Sequence, residues 1–423
     1  MTALAASPRQ TAGPPPWDAA TKCQLPDGWR WVKLGDVCEE KTGVRDPRRE
    51  PDKSFRYVDI TSVDNKAKRI GEAKTLFGKD APSRARQVIR SGDVIVSTTR
   101  PNLNTIALIP PELNDQICST GFCVLRATPD LDSDYLFALV QTTDFVESLS
   151  ELVKGALYPA VTDKQVRDQF VPLAPLAEQK RIAGILKEQM AAVERARCSA
   201  EAQLQSAEAL PAAHLRAVFN SPEAQAWPRK RFGDTCELLP AKSISTAGDA
   251  EVCAITTSCL SESGFRPSGV KTARMWAGDA EQCVVSAGEV LIARSNTPEL
   301  VGRAAMFAGE PKGAVASDLT IRLKARDGLL PVFLTAHLAF LYLNGYWKER
   351  AGGASGSMKK ITRTQIQSEL IPIPSDTDQR RIAAQLSSQM ASAERLRQTL
   401  AEQLDGINKL PAALLREAFS GRI

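Results

Sequence analysis

The chain has little histidine and no paired cysteine. Its two histidines, His214 and His337, stand far apart, and its nine cysteines (Cys23, Cys38, Cys118, Cys123, Cys198, Cys236, Cys253, Cys259, Cys283) are odd in number and never spaced as Cys-x-x-Cys. A zinc site would have to be assembled from distant residues, and the scatter of thiols points to a reduced, cytoplasmic protein rather than a disulfide scaffold. No run of about 18 apolar residues occurs. The stretch 1–24, rich in Ala and Pro, lacks a signal peptide's apolar core. No membrane partner is therefore expected, and residues 1–24 read as a disordered or loosely attached tail.

Catalytic signatures are missing too. The sequence holds no Gly-x-Gly-x-x-Gly turn after an early strand, no Asn-Pro-Pro-Tyr or Asp-Pro-Pro-Tyr methyltransferase loop, and no obvious acidic-plus-lysine nuclease cluster. Residues 352–357 are glycine-rich, but no Lys-Ser or Lys-Thr follows at phosphate-loop spacing, which excludes nucleotide binding there. Both histidines fall in helical contexts, so a Ser-His-Asp triad is not expected. These absences weigh against a self-contained enzyme and against a metal or cofactor bound by this chain.

What is present is an ordinary folding composition, 43% hydrophobic and 24% charged over 423 residues, which is more chain than one core usually fills. The net charge of +5 hides a concentration. Residues 41–90, which include Arg84 and Arg86, carry fourteen Lys or Arg against seven Asp or Glu. Such a stretch is either a solvated face or a polyanion-binding surface.

The dominant feature is an internal repeat with a period of 200 residues. Glu178-Gln179-Lys180-Arg181-Ile182-Ala183 returns as Asp378-Gln379-Arg380-Arg381-Ile382-Ala383, and the register holds to Leu210-Pro211-Ala212-Ala213 against Leu410-Pro411-Ala412-Ala413 and Phe219 against Phe419. Apolar residues at steps of three and four predict two long helices of coiled-coil type: Ile182, Leu186, Met190 and onward, and Ile382, Leu386, Met390 through Leu404. These residues, with Gln179 and Gln379, are candidates for helix pairing or partner binding. Pro211 and Pro411 are expected to break the helices, leaving rods of roughly 45 Å. The segments ahead of the helices echo each other more loosely, as in Ser91-Gly92-Asp93-Val94-Ile95-Val96 against Ala287-Gly288-Glu289-Val290-Leu291-Ile292. Strands are expected at 57–60, 94–97, 122–125, 284–285, 290–293 and 319–323, and helices at 133–153 and 331–349. Each half thus reads as a mixed α+β head feeding a long helix.

Two loops carry candidate chemistry. Thr99-Arg100-Pro101-Asn102 and Arg294-Ser295-Asn296 follow corresponding strands, and Arg and Asn are the side chains that pair bidentately with guanine and adenine edges. Tyr158, in a small-residue loop, aligns at the same 200-residue offset with Met358. Lys154, Lys359, Lys360 and Arg363 nearby could meet phosphates.

Pro175-Leu176-Ala177-Glu178-Gln179 running into Arg181-Ile182, the Leu-Pro pair, and Phe419-Ser420-Gly421 resemble the two conserved regions of the specificity subunits of type I restriction-modification enzymes. Ser119-Thr120-Gly121-Phe122 and Trp29 to Gly35 look like elements of that family's target-recognition domains. The resemblance implies two similar globular target-recognition domains, residues 25–174 and 223–374, separated by two long antiparallel coiled-coil helices, 175–222 and 375–423, in a pseudo-twofold internal repeat. It implies a non-catalytic subunit reading a bipartite, asymmetric target in double-stranded DNA. Its partners would be two modification (methyltransferase) subunits and ATP-driven restriction subunits, with S-adenosylmethionine, ATP and Mg²⁺ held by those partners. One departure is Ser375-Asp376-Thr377-Asp378, which replaces the Pro-Leu-Ala-Glu entry at the second helix. Rival readings are a coiled-coil adaptor between proteins, or a nuclease or methyltransferase with unrecognised motifs.

Overall fold

Apolar side chains recurring every three to four residues need a helix to bring them to one side. In the computed structural model the two stretches form helices Leu176–Phe219 and Asp376–Phe419, each 44 residues long. At 1.5 Å per residue each measures about 66 Å. Along the first, Ile182, Leu186, Ala200 and Ala207 are buried with Val193 and Leu204 half-buried between them, the 3.5-residue recurrence of a coiled-coil seam. The structure describes residues 25–423 except 156, 263 and 356, and not the side chains of 354 and 355. The expected tail, Cys23 and part of the glycine-rich loop lie outside the described residues.

The prolines do not break the helices. Pro211 and Pro411 sit inside them, each removing one backbone donor at a cost of about 3 kcal/mol. The turns beyond are held by burial instead: Leu215 is 0% and Phe219 6% exposed, Leu415 4% and Phe419 8%. Tertiary anchoring past the proline therefore outweighs the lost bond, and the rods are longer than the sequence suggests.

Contacts divide the chain into two compact units, one of residues up to Cys198 with Asp405–Ile423, the other Ser199–Leu404. In the first, Arg30–Lys33 pairs antiparallel with Phe170–Leu173, closing the ends of the head. A three-stranded sheet of Phe122–Leu125, Val94–Ser97 and Ile106–Leu108 lies at the core, beside a four-stranded sheet in the order Lys74–Phe77, Ser54–Val58, Gln116–Ser119, Ala85–Ile89. Helices Ser133–Leu139 and Thr143–Glu151 replace the single helix expected at 133–153, because Thr142 caps the second one through Phe145 N.

The second unit repeats this plan. Arg229–Arg231 pairs with Leu370–Pro372, and a four-stranded sheet runs Cys236–Leu239, Thr320–Ala325, Val290–Ala293, Ala304–Met306. Val284 and Val285, expected as a strand, supply only a bridge from Val284 to Val315.

Three features recur in both units. Gln179 and Gln379 are each 1% exposed. Gln179 accepts from Asp132 N (2.8 Å) and donates to Asp130 O (3.0 Å) and Ala174 O (2.8 Å). Gln379 repeats the pattern with Leu330 N, Gly328 O and Pro374 O. Next, each head core admits the start of one long helix and the end of the other. Ile182 and Leu186 join Leu415 and Phe419 in the first unit, and Ile382 and Leu386 join Leu215 and Phe219 in the second. The two helices therefore run antiparallel within each unit. Finally, a buried ion pair crosses each core sheet, Asp93 with Arg126 (2.7 Å) and Glu289 with Arg322 (2.9 Å).

Candidate nucleic-acid interface

The loops singled out by residue type are assembled by backbone ladders. In the first unit Thr120 N donates to Arg84 O (2.9 Å), Thr98 N to Gly121 O (2.9 Å), Val161 N to Thr98 O (2.8 Å) and Arg100 N to Pro159 O (2.8 Å). Arg84, Arg100 and Tyr158 thereby come from three separate stretches to one edge, and all three are exposed. Thr99 is half-buried, bridged to Ala160, with its hydroxyl 3.3 Å from Ser97 Oγ.

Arg100 has φ 51° and ψ 62°, a left-handed conformation that costs a side-chain-bearing residue about 1 kcal/mol. The 3-10 turn Pro101–Leu103 that follows is closed by Leu103 N to Arg100 O (2.9 Å) and Asn104 N to Pro101 O (2.9 Å), and it presents Asn102 to solvent. Lys68 Nζ reaches over to donate to Asn104 O, and burial pulls its pKa down to about 8. Among the described residues the Arg100 guanidinium has no protein partner.

The second unit gives the residue-by-residue pairing of the two loops. Arg294 N donates to Leu319 O and Ile361 N to Arg294 O, both 2.8 Å, the same two bonds that Thr98 makes in the first. Ser295 faces Lys360 and Asn296 faces Lys359, as Thr99 faces Ala160 and Arg100 binds Pro159. Asn296 is thus the counterpart of Arg100, and Arg294 that of Thr98. Locked in the ladder on both sides, Arg294 turns its Nη1 to Asp318 O (3.2 Å), with Nε buried.

Other candidates are spent on the protein. Arg363 donates to Leu238 O (2.7 Å) and Leu239 O (2.9 Å), and burial beside Arg294 lowers its pKa. Arg86 bonds Ala85 O (2.8 Å) and pairs with Asp46 (3.2 Å). Lys154 pairs with Glu151 at the surface (3.1 Å). Within 41–90, Arg48, Lys53 and Lys74 also have carboxylate partners, all from the same stretch, so its excess of seven cations stands. Lys360 is exposed and Lys359 half-buried. Gln179 and Gln379 are committed to the heads, as are Ile182, Leu186, Met190, Ile382, Leu386 and Met390, while Leu404 is half-buried. The buried ion pairs and the bracing glutamines were not foreseen as such. The echo of Gly92-Asp93-Val94 in Gly288-Glu289-Val290 carried the signal for the acidic partners.

The family model "Type I restriction modification DNA specificity domain" matches residues 26–199. The HsdS subunit from Thermoanaerobacter tengcongensis shares 33% identity and a TM-score of 0.64 over 95% of this chain and 98% of its own. The chain belongs to the specificity subunits of type I restriction-modification systems. A second solved chain, from work on complex assembly and conformational transition of the type I R-M system, matches this specificity subunit with a TM-score of 0.80. Its identity is also 33%, over 95% of this chain and 100% of that one. The HindI specificity subunit of Haemophilus influenzae is 23% identical over 162 residues, 37% of this chain and 34% of that protein. The MjaVIII specificity subunit of Methanocaldococcus jannaschii is 25% identical over 182 residues, 39% and 40% of the two. The match thus spans between a third and two fifths of the curated relatives' length. Among the described residues of the specificity subunit no cluster of three or more His, Cys, Asp or Glu is placed to hold a metal ion, and no helix is long and apolar enough to cross a membrane.

Proposed function

We propose that this specificity subunit reads a bipartite target in double-stranded DNA, one part with each head, and performs no chemistry itself. The observation that carries this is the doubled ladder. It sets Arg100 in one head and Asn296 in the other at the same backbone position, the former unpaired and exposed, and Arg and Asn are the readers of guanine and adenine edges. Because the two side chains differ, the two halves of the target should differ. Arg84, Asn102, Lys359 and Lys360 supply further contacts at the same edges, the lysines to phosphates. The faces of the long helices turned away from the heads are the docking surface for two modification subunits, which bring S-adenosylmethionine, and for restriction subunits, which bring ATP and Mg²⁺. The protein works in the cytoplasm, where its free thiols stay reduced.

The test is methylation mapping in a host expressing the chain with its neighbouring modification subunit. A single two-part methylated sequence is expected. Methylation without sequence preference would overturn the reading, and so would cleavage or methyl transfer by the purified chain alone with Mg²⁺ and S-adenosylmethionine. An adaptor without DNA contact would show no salt-dependent gel shift.

A further inference from the structure

We propose that Tyr158 in the first unit and Met358 in the second are wedges that enter the base stack of the DNA each head reads. The inference rests on the proposed DNA reading and adds to it a distortion of the duplex. Large apolar side chains scattered singly over a surface need no explanation. Here Leu157 and Tyr158 stand side by side, 86% and 85% exposed. Gly155, two residues before Leu157, has φ +82° and open space where a Cβ would project.

The position is fixed from behind. Pro159 O holds Arg100 N at 2.8 Å and Ala160 is bridged to Thr99, so Tyr158 is carried immediately beside the left-handed Arg100. In the second unit Lys360 faces Ser295 and Lys359 faces Asn296, which puts Met358 at the same step of the same ladder, 46% exposed. The loops differ in composition, Leu-Tyr in one and Ser-Met in the other. Apolar bulk at this step is what they share.

Charge identifies the occupant. Arg100 flanks the first wedge, Lys359 and Lys360 the second. An apolar tip framed by cations suits a polyanion with an apolar interior, and the stacked bases of a duplex are that. Aromatic rings stack on bases irrespective of sequence. Unbranched, polarizable methionine can slip between steps and kink the helix.

The test uses the chain assembled with its modification subunits and a duplex of the mapped target, with 2-aminopurine placed singly along both halves. The wild-type complex should raise emission several-fold at one step in each half. Tyr158→Ala should abolish the rise in one half and weaken binding roughly tenfold, Met358→Ala should do so in the other half, and Tyr158→Phe should keep both. An adenine extruded for methylation would retain its signal in all variants, so the two sources separate. Flat emission with sequence-selective binding intact overturns the wedge and leaves DNA reading standing. Failure of Tyr158→Ala to assemble with the modification subunits, with duplex emission unchanged, would make the tip a protein contact. Binding without sequence preference would overturn both.

Discussion

Arg100→Gly separates reading from folding. The native residue sits at φ 51°, ψ 62°, where a side chain costs about 1 kcal/mol and glycine costs nothing. Glycine returns about 0.5–1 kcal/mol of that through the greater freedom of the unfolded chain. The two terms nearly cancel. The backbone bonds that shape the turn, Arg100 N to Pro159 O and Leu103 N to Arg100 O, do not involve the side chain. The thermal midpoint should therefore move by no more than about 3 °C. A lost bidentate base contact costs about 1–3 kcal/mol, or roughly five- to 150-fold in discrimination, at one base pair. The assay is methylation mapping of the Arg100→Gly subunit beside wild type, with affinities for duplexes substituted at each position. Relaxed preference at one position of one half is the expected result. Weakening spread evenly over all sequences would show a phosphate contact, and a fall in midpoint of 10 °C would show that the side chain supports the fold; either refutes the reasoning.

Further tests probe the frame. Glu289→Gln leaves the Arg322 charge, 3% exposed and otherwise bound to the carbonyls of Pro240, Gln282 and Val284, without its counter-ion. The expected cost is about 3–5 kcal/mol, seen as faster hydrogen exchange in Val290–Ala293 and Thr320–Ala325, and a loss under 1 kcal/mol would contradict it. Gly421 ends the second long helix at φ +72°, with Gly421 N to Ala418 O and Arg422 N to Glu417 O, and an added Cβ would lie 2.2 Å from Pro26 Cγ. Gly421→Ala should therefore lower the midpoint of the first unit by several degrees, and an unchanged midpoint would show that the clash relaxes freely. His337, buried among Phe219, Phe232 and Phe340, has its pKa pushed down to about 3 by that burial and by nearby Arg229. Below its ordinary value of 6.5 the unfolded chain binds a proton that the folded core refuses, so stability falls with pH, by about 2 kcal/mol between pH 7 and 5. Urea titrations at the two pH values should show this loss shrink in His337→Phe, and an equal loss in both proteins would absolve the histidine.

Much of this architecture is written in periodicities. The 200-residue repeat and the three-and-four spacing from Ile182 onward announce two long helices, because a helix face is a local property of sequence. Where the rods end was misjudged, since Pro211 is a local signal and the burial of Leu215 and Phe219 that overrides it is not. The two reading loops were legible in place but not in role. Residue type singles out both Arg100 and Arg294, whereas the ladder pairs Arg100 with Asn296, the same 196-residue offset that relates Gly92 to Gly288. The glutamines were conspicuous as repeated letters, but only their three hydrogen bonds each reveal that they clasp the heads and are not free for a partner. Charge was the least legible: Arg86 and Arg363 look like open cations until Asp46 and the carbonyls of Leu238 and Leu239 come into view.

The core of the first head is completed by Leu415 and Phe419, which lie more than 200 residues after most of the side chains they cover. A ribosome must therefore read as far as Phe419 before the first head can be sealed. At ordinary elongation speeds the stretch from Cys198 to Phe419 takes roughly ten to fifty seconds. Truncation just ahead of Leu415 should injure the head synthesised first and spare the second.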